Sequence, residues 1–322
     1  MRNTRLRHST DIFVFITASR RVRKRSCSHA IIQRRHGLRA KRDGDQSRGH
    51  SAGGPAVMES HVAGFFMDFN GAIEKGRKYF NKSREPFTMT VAGQTIYVAT
   101  SAEDITRVWN NSKTISMNPL TMDMYIWCGI SERSRESLFE RHPSAQYNAD
   151  NARPLTPTQM VIELHHQQLS GARLDALVEE KVIPALFKKL GFSQPNAPAV
   201  LSRSEKSITI SLHELCVDLF ITHDTEVFWG PALLKNSPNM IKAFLDWEYS
   251  SWKFLFQLPD IFAKDMLKAK STITGAFANY YKLPRSQRPN AEYFATGLED
   301  MLREAGLSED EMGKFTLLHY WA

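Results

Sequence analysis

The stretch 85–111, EPFTMTVAGQTIYVATSAEDITRVWNN, constrains the fold more than any other part of the chain. Phe87, Met89 and Val91 alternate with Thr88 and Thr90, the period of a strand with one buried face. Ala92-Gly93-Gln94 supplies a turn, with glycine where a positive φ is needed. Thr95 to Ala99 reads as the returning strand, carrying Ile96, Tyr97 and Val98. Ser101 with Asp104 three residues later resembles a capping box and opens a short helix. Its buried face is expected at Ile105, Val108 and Trp109. The pattern is therefore a hairpin followed by a helix.

The net charge of +8 is unevenly placed. Residues 1–57 hold 14 Lys and Arg against 3 Asp and Glu, whereas the rest holds 28 against 31. The basic excess belongs to an arm, and the body gives no reason to expect nucleic acid. The arm is rich in Arg, Ser and His and poor in apolar residues, so it is expected to be disordered. It fits a nuclear or nucleic-acid signal, a mitochondrial presequence or an anionic-lipid contact; alternatively it is not native coding sequence, since Met58 is a second plausible start. The body is expected over 58–322. Three cysteines, Cys27, Cys128 and Cys216, are too few and too scattered for a disulfide framework or a zinc site, which points to a reducing compartment. No run approaches the roughly 20 apolar residues of a transmembrane helix.

Beyond the arm, helical periodicity dominates. Helices are expected over Val62–Phe80, over Gln159–Leu190 with kinks at Gly171 or Pro184, and over Ile208–Gly230 as a buried helix, while Ser116–Ile130 reads as a Pro-initiated apolar segment rich in Met and aromatics. Residues 141–158 and 191–206 read as Pro-rich connectors. Ser237-Pro238-Asn239-Met240 opens a helix bearing Phe244, Leu245, Trp247, Trp252, Phe254 and Phe256, stopped at Leu258-Pro259. Another follows over Asp265–Leu283, then one over Ala291–Ala305 closed by Gly306. Ser308-Glu309-Asp310-Glu311 caps the last, with Met312, Phe315, Leu318 and Trp321 near helical spacing. The fold class is mainly α with a small β-hairpin.

Taken in order, these landmarks resemble cytochrome P-450 haem-thiolate monooxygenases. The resemblance is carried by the Pro-Phe strand, the Ile-Tyr-Val strand and Ser-Ala-Glu-Asp-Ile, by Phe228-Trp229-Gly230-Pro231-Ala232-Leu233, and by two aromatic-rich helices separated by Leu258-Pro259. Fungal relatives of sterol-hydroxylase and prostacyclin-synthase type look nearest. The resemblance implies haem, an apolar substrate such as a sterol, a reductase as redox partner, endoplasmic-reticulum location and peripheral membrane contact. It makes Met122, Tyr125, Trp127, Trp247, Trp252 and Phe256 candidates for the substrate pocket, although each is also explained as ordinary core. The family's Trp-x-x-x-Arg helix, which reaches a haem propionate, has no counterpart; His165, His166 or Arg173 are the candidate substitutes.

The chain departs from the family where the chemistry is concentrated. The family holds iron through Phe-x-x-Gly-x-x-x-Cys-x-Gly. Around Cys128 the Phe and Gly positions hold Thr121 and Met124, around Cys216 they hold Thr209 and Leu212, and around Cys27 they hold Arg20 and Arg23. No catalytic residue and no metal ligand is therefore assigned, and haem binding by this chain is doubtful. Ending on Leu317-Leu318-His319-Tyr320-Trp321-Ala322, without a capping glycine, leads us to expect the amino-terminal part of a longer, incomplete P-450-like fold, inactive alone. A non-enzymatic helical module that holds a partner helix or lipid is the alternative.

Overall fold

The computed structural model describes residues 12–16, 65, 68–79, 86–91, 94–111, 116–140, 155–190 and 199–321. The contacts divide the chain into two units, 1–123 and 124–322. The Ala92-Gly93 turn, residues 141–154, residues 191–198, Met58, Cys27 and most of the basic arm lie outside the described residues. Among the described residues no helix is long and apolar enough to cross a membrane.

Unit 1 contains the expected hairpin. Strand β2 (Phe87–Val91) pairs antiparallel with β3 (Gln94–Ala99), with Phe87 opposite Val98 and Met89 opposite Ile96. Phe87 and Val91 are buried while Thr88 and Thr90 are exposed, as the period-2 pattern requires. Helix α1 (Phe69–Tyr79) buries Ile73 and crosses the hairpin so closely that a Cβ on Gly76 would lie 2.4 Å from the Phe87 ring. Inside the basic arm, β1 (Ile12–Ile16) adds to β3 in parallel. These five residues, IFVFI, are the arm's one run of β-branched and aromatic residues, the types that favour strands.

Helix α2 (Ala102–Asn110) starts where the capping pattern predicts. Ser101 Oγ accepts from the Asp104 amide at 3.0 Å and donates to the Asp104 carboxylate at 2.6 Å. The expected burial of Trp109 is wrong: it is 61% exposed, while Ile105 and Val108 are half-buried. Trp109 lies one turn beyond Ile105 on the same helical face, but that end of the face is left uncovered among the described residues. Helix α3 (Asn118–Cys128) begins in unit 1 and ends in unit 2.

Among its described residues unit 2 is mainly helical, with one small hairpin. Helix α4 (Glu132–Phe139) is capped by Ser131, whose Oγ accepts from the Ser134 amide. Helix α5 (Pro157–Gln168) starts with a full capping box between Thr156 and Gln159 and carries proline at its first position. It ends at Gln168, and Gly171, with a φ of +55°, opens the next helix after a clean break in place of a kink. Helix α6 (Gly171–Ala176) runs into a π-helical stretch (Leu177–Val182) and then α7 (Ile183–Leu190). Pro184 explains that widening: its ring crowds the carbonyl of Glu180, and the wider turn relieves the clash.

Two expectations fail next. Part of the supposed connector is a strand, β4 (Val200–Arg203), paired antiparallel with β5 (Ile208–Ile210). The supposed buried helix accordingly starts only at α8 (Leu212–Val217), passes through a π-helical stretch (Asp218–Thr222) and ends as α9 (His223–Trp229). Leu212 is 71% and Phe220 63% exposed, so one side of this helix is not core. Gly230 (φ +73°) ends α9 beside the Pro289 carbonyl, 2.5 Å from where a Cβ would sit.

The centre of unit 2 is built from the last helices: α10 (Pro231–Asn236), α11 (Met240–Leu255), α12 (Lys264–Lys282), α13 (Tyr293–Glu304) and α14 (Glu309–Trp321). Helix α12 packs along both α11 and α14, and α13 packs on α5. In α14, Met312, Gly313, Phe315, Thr316, Leu317 and Leu318 are all buried. Seven consecutive positions cover nearly two turns, and only Lys314 among them is not buried. A helix that is buried nearly all round belongs in a core. Ser308 caps it as expected, accepting from the Glu311 amide at 3.4 Å while Glu311 Oε2 accepts from the Ser308 amide at 3.2 Å.

Candidate functional site

A cavity of about 210 Å³ opens inside unit 2 where α5, the second π-helical stretch, α9, α11, α13 and α14 converge. Its walls are aromatic. Phe294 meets Trp229 at 6.3 Å and Phe228 at 6.2 Å between ring centroids, both edge-on, and Phe244 meets Tyr320 at 4.8 Å. Such edge-to-face pairs lock the rings that form the walls. Phe220, largely exposed, stands at the mouth.

Helix α9 presents its polar groups to this space at helical spacing. Thr225 Oγ1 donates to the Ile221 carbonyl at 2.6 Å, so the Tyr320 hydroxyl donates to Thr225 in turn. Burial pushes the Tyr320 phenol up to about 12. Asp224 lines the cavity with no hydrogen-bond or ion-pair partner among the described residues. Burial raises its carboxyl above the usual Asp range, against a small opposing effect of His223.

Two histidines face the cavity, and both are neutral at pH 7. His165 Nδ1 lies 3.0 Å from the Val161 carbonyl, which only accepts; Nδ1 therefore carries the proton and Nε2 is left as an acceptor. Its ring stacks 4.0 Å from Phe294, and burial lowers its pKa. His319 Nε2 lies 3.2 Å from the Tyr125 hydroxyl. Burial drives the His319 pKa down to about 3, helped by repulsion from His165. The unfolded chain takes up this proton near 6.5, whereas the folded one resists to about 3. Stability is therefore expected to fall as pH drops below 6.5, by on the order of 2 kcal/mol before the carboxylates begin to titrate. Urea midpoints measured from pH 7 down to 5 check this, and His319→Gln should flatten the slope.

None of the six residues proposed for the substrate pocket lines this cavity. Tyr125 comes nearest: it is 1% exposed and touches the wall only through His319. Trp247, fully buried, sits 5.3 Å from Phe254 and 5.5 Å from Trp321, with Trp127 edge-on to Phe254 at 5.7 Å. That cluster is core. Trp252 and Phe256 are half-buried at the end of α11, and Met122 is half-buried in unit 1. Of the propionate candidates only His165 reaches the cavity. His166 is exposed, and the Arg173 guanidinium stacks 4.1 Å over the Tyr293 ring.

The thiols do not fit a haem-thiolate centre. Cys128 is buried, and burial pushes its pKa up to about 12 despite Lys270 and Lys314 nearby. An iron-binding thiolate needs the opposite shift. Cys216 is half-buried on α8 and does not line the cavity.

The residues that the sequence reading missed are Asp224, Thr225, His319 and Tyr320. Their signal was polar side chains on otherwise apolar faces: Asp224 and Thr225 sit three and four residues after Ile221 and before Phe228, and His319 follows Phe315 by one turn. No family model, no curated protein and no solved structure matches the chain.

Proposed function

We propose that this chain is the amino-terminal portion of a haem-thiolate monooxygenase of the cytochrome P-450 kind, supplying helices that wall a pocket but not the sulfur that grips iron. The observation that carries the reading is α14. It is buried around nearly its whole circumference, and the family places the start of its long central helix at this point in the order of elements. The hairpin-then-capped-helix opening, the aromatic turn into Gly230 and the α11–α12 pair support the same order. Exposed Phe187, Leu212 and Phe220 give further support, as apolar surface that the rest of such a fold would cover.

In that setting the chain's own residues bind and orient but hold no iron. The haem would supply oxygen activation once a thiolate from another segment held it. Neither Cys128 nor Cys216 suits that role, so no step is assigned to haem here. The chain mixed with haem, reduced and exposed to carbon monoxide is expected to give no thiolate-type band. A thiolate band from this chain would contradict that assignment.

The reading itself is tested by expressing the chain joined to whatever polypeptide its gene encodes downstream. A thiolate-type band that disappears when a cysteine of the added segment is replaced is the expected result. A gene that stops directly after Ala322, or a joined product that takes up no haem, would overturn it.

A further inference from the structure

We propose that the cavity between α5, α9, α11, α13 and α14 binds a small organic monocation, an ammonium group on a compact aromatic or alicyclic body, with Asp224 as its counter-ion. The inference goes beyond the monooxygenase reading and is independent of it, because every group it uses belongs to unit 2.

Asp224 is the unusual feature. A half-buried carboxylate beside apolar walls loses part of its hydration, and Asp224 has no hydrogen-bond or ion-pair partner among the described residues to offset that loss. No Lys or Arg lines the cavity to neutralise it, and the one opposing electrostatic effect comes from His223, its neighbour in sequence, which is not a wall residue. The two lining histidines, His165 and His319, are neutral at pH 7 and supply no positive charge. The cavity is therefore electrically incomplete, and a cation completes it.

The walls favour the same ligand class. Phe228, Trp229, Phe244, Phe294 and Tyr320 line the space, and aromatic walls of this kind attract an ammonium group electrostatically and cover a ligand's apolar body. Those rings already contact one another edge-on, so little ordering is needed on binding. His165, a wall residue, keeps Nε2 as an acceptor because its Nδ1 donates to the Val161 carbonyl. A volume of 210 Å³ suits a single-ring amine and is too small for a sterol.

Calorimetric titration of the full chain at neutral pH with benzylamine and, separately, with neutral benzyl alcohol tests the proposal. Benzylamine is expected to bind at least about tenfold more tightly. Asp224→Asn, with its fold checked by circular dichroism, should bring the two ligands level by weakening the amine alone. Phe220→Lys, a change at the exposed mouth that leaves the core intact, should weaken the amine and spare the alcohol. Equal affinity of the two ligands for the native chain, or no binding of either, overturns the proposal. If Asp224→Asn does not fold, the native preference and the Phe220→Lys result decide, and amine binding unchanged in Phe220→Lys counts against it.

Discussion

Replacing Gly313 by alanine is expected to destabilise unit 2 by about 1 to 3 kcal/mol, although alanine is the better helix former. In an exposed helix the change would gain roughly 1 kcal/mol. Here the new Cβ would lie 2.3 Å from the Thr274 carbonyl oxygen and 2.9 Å from the Ala278 amide nitrogen, both backbone atoms of α12. Backbone cannot swing aside as a side-chain tip can, so α12 and α14 would have to separate. Separation would open the tightest seam in the core, where Phe315, Phe277 and Ile273 are all fully buried. Steric cost outweighs propensity. Gly313→Val should do worse, by about 3 kcal/mol or more. Urea unfolding followed by tryptophan fluorescence measures both, and a Gly313→Ala variant as stable as the parent would mean the helices are not in contact there.

Glu299→Ala should cost still more, about 3 to 5 kcal/mol. Glu299 and Arg288 are 3% and 6% exposed and form two parallel hydrogen bonds of 2.9 Å each. Arg303 Nε reaches the same carboxylate at 2.9 Å and Arg285 Nε at 3.3 Å. Deleting the carboxylate leaves a buried guanidinium without its counter-ion and two more facing it. Burial alone would raise the Glu299 carboxyl, but the hydrogen bonds from Arg288 and Arg303 outweigh it and hold the pKa below the usual range. The stabilisation is therefore complete above the unfolded pKa and is lost as pH falls below it. The consequence reaches the cavity: Arg288 stacks 4.6 Å over Tyr280, whose hydroxyl donates at 2.7 Å to the carbonyl of Trp229, a wall residue. Replacing Arg288 and Glu299 together by methionine should recover most of the loss, because a buried pair and an apolar pair of similar size are near equal. Thermal unfolding of the single and double variants tests both statements.

The parts of the fold that were legible had a period and a cap. Phe87 to Val91 alternate strictly, and Ser101, Ser308 and Gly306 mark helix ends through local chemistry that needs no tertiary partner. The β4–β5 hairpin was not legible, since Val200–Arg203 and Ile208–Ile210 are short and lie among Ser, Pro and Lys that read as connector. Pattern also misassigned burial at Trp109, Leu212 and Phe220, because helical spacing identifies a face but not what covers it. The aromatic candidates illustrate the same limit. Trp127, Trp247 and Trp252 are pocket candidates through the resemblance alone, and large aromatics equally suit a core. The cavity's polar groups come from α5, α9 and α14, positions as far apart in sequence as His165, Asp224 and His319. Only tertiary packing brings them together, and of the three the sequence points to His165 alone.

The account rests on α14 being the buried axis of unit 2, and native-state hydrogen exchange measures that directly. The amides of Met312 to Leu318 are expected to exchange among the slowest in the protein, opening only with global unfolding of unit 2. Exchange there as fast as in Ala102–Asn110, a helix with no fully buried residue, would contradict the central placement of α14 and the functional reading built on it.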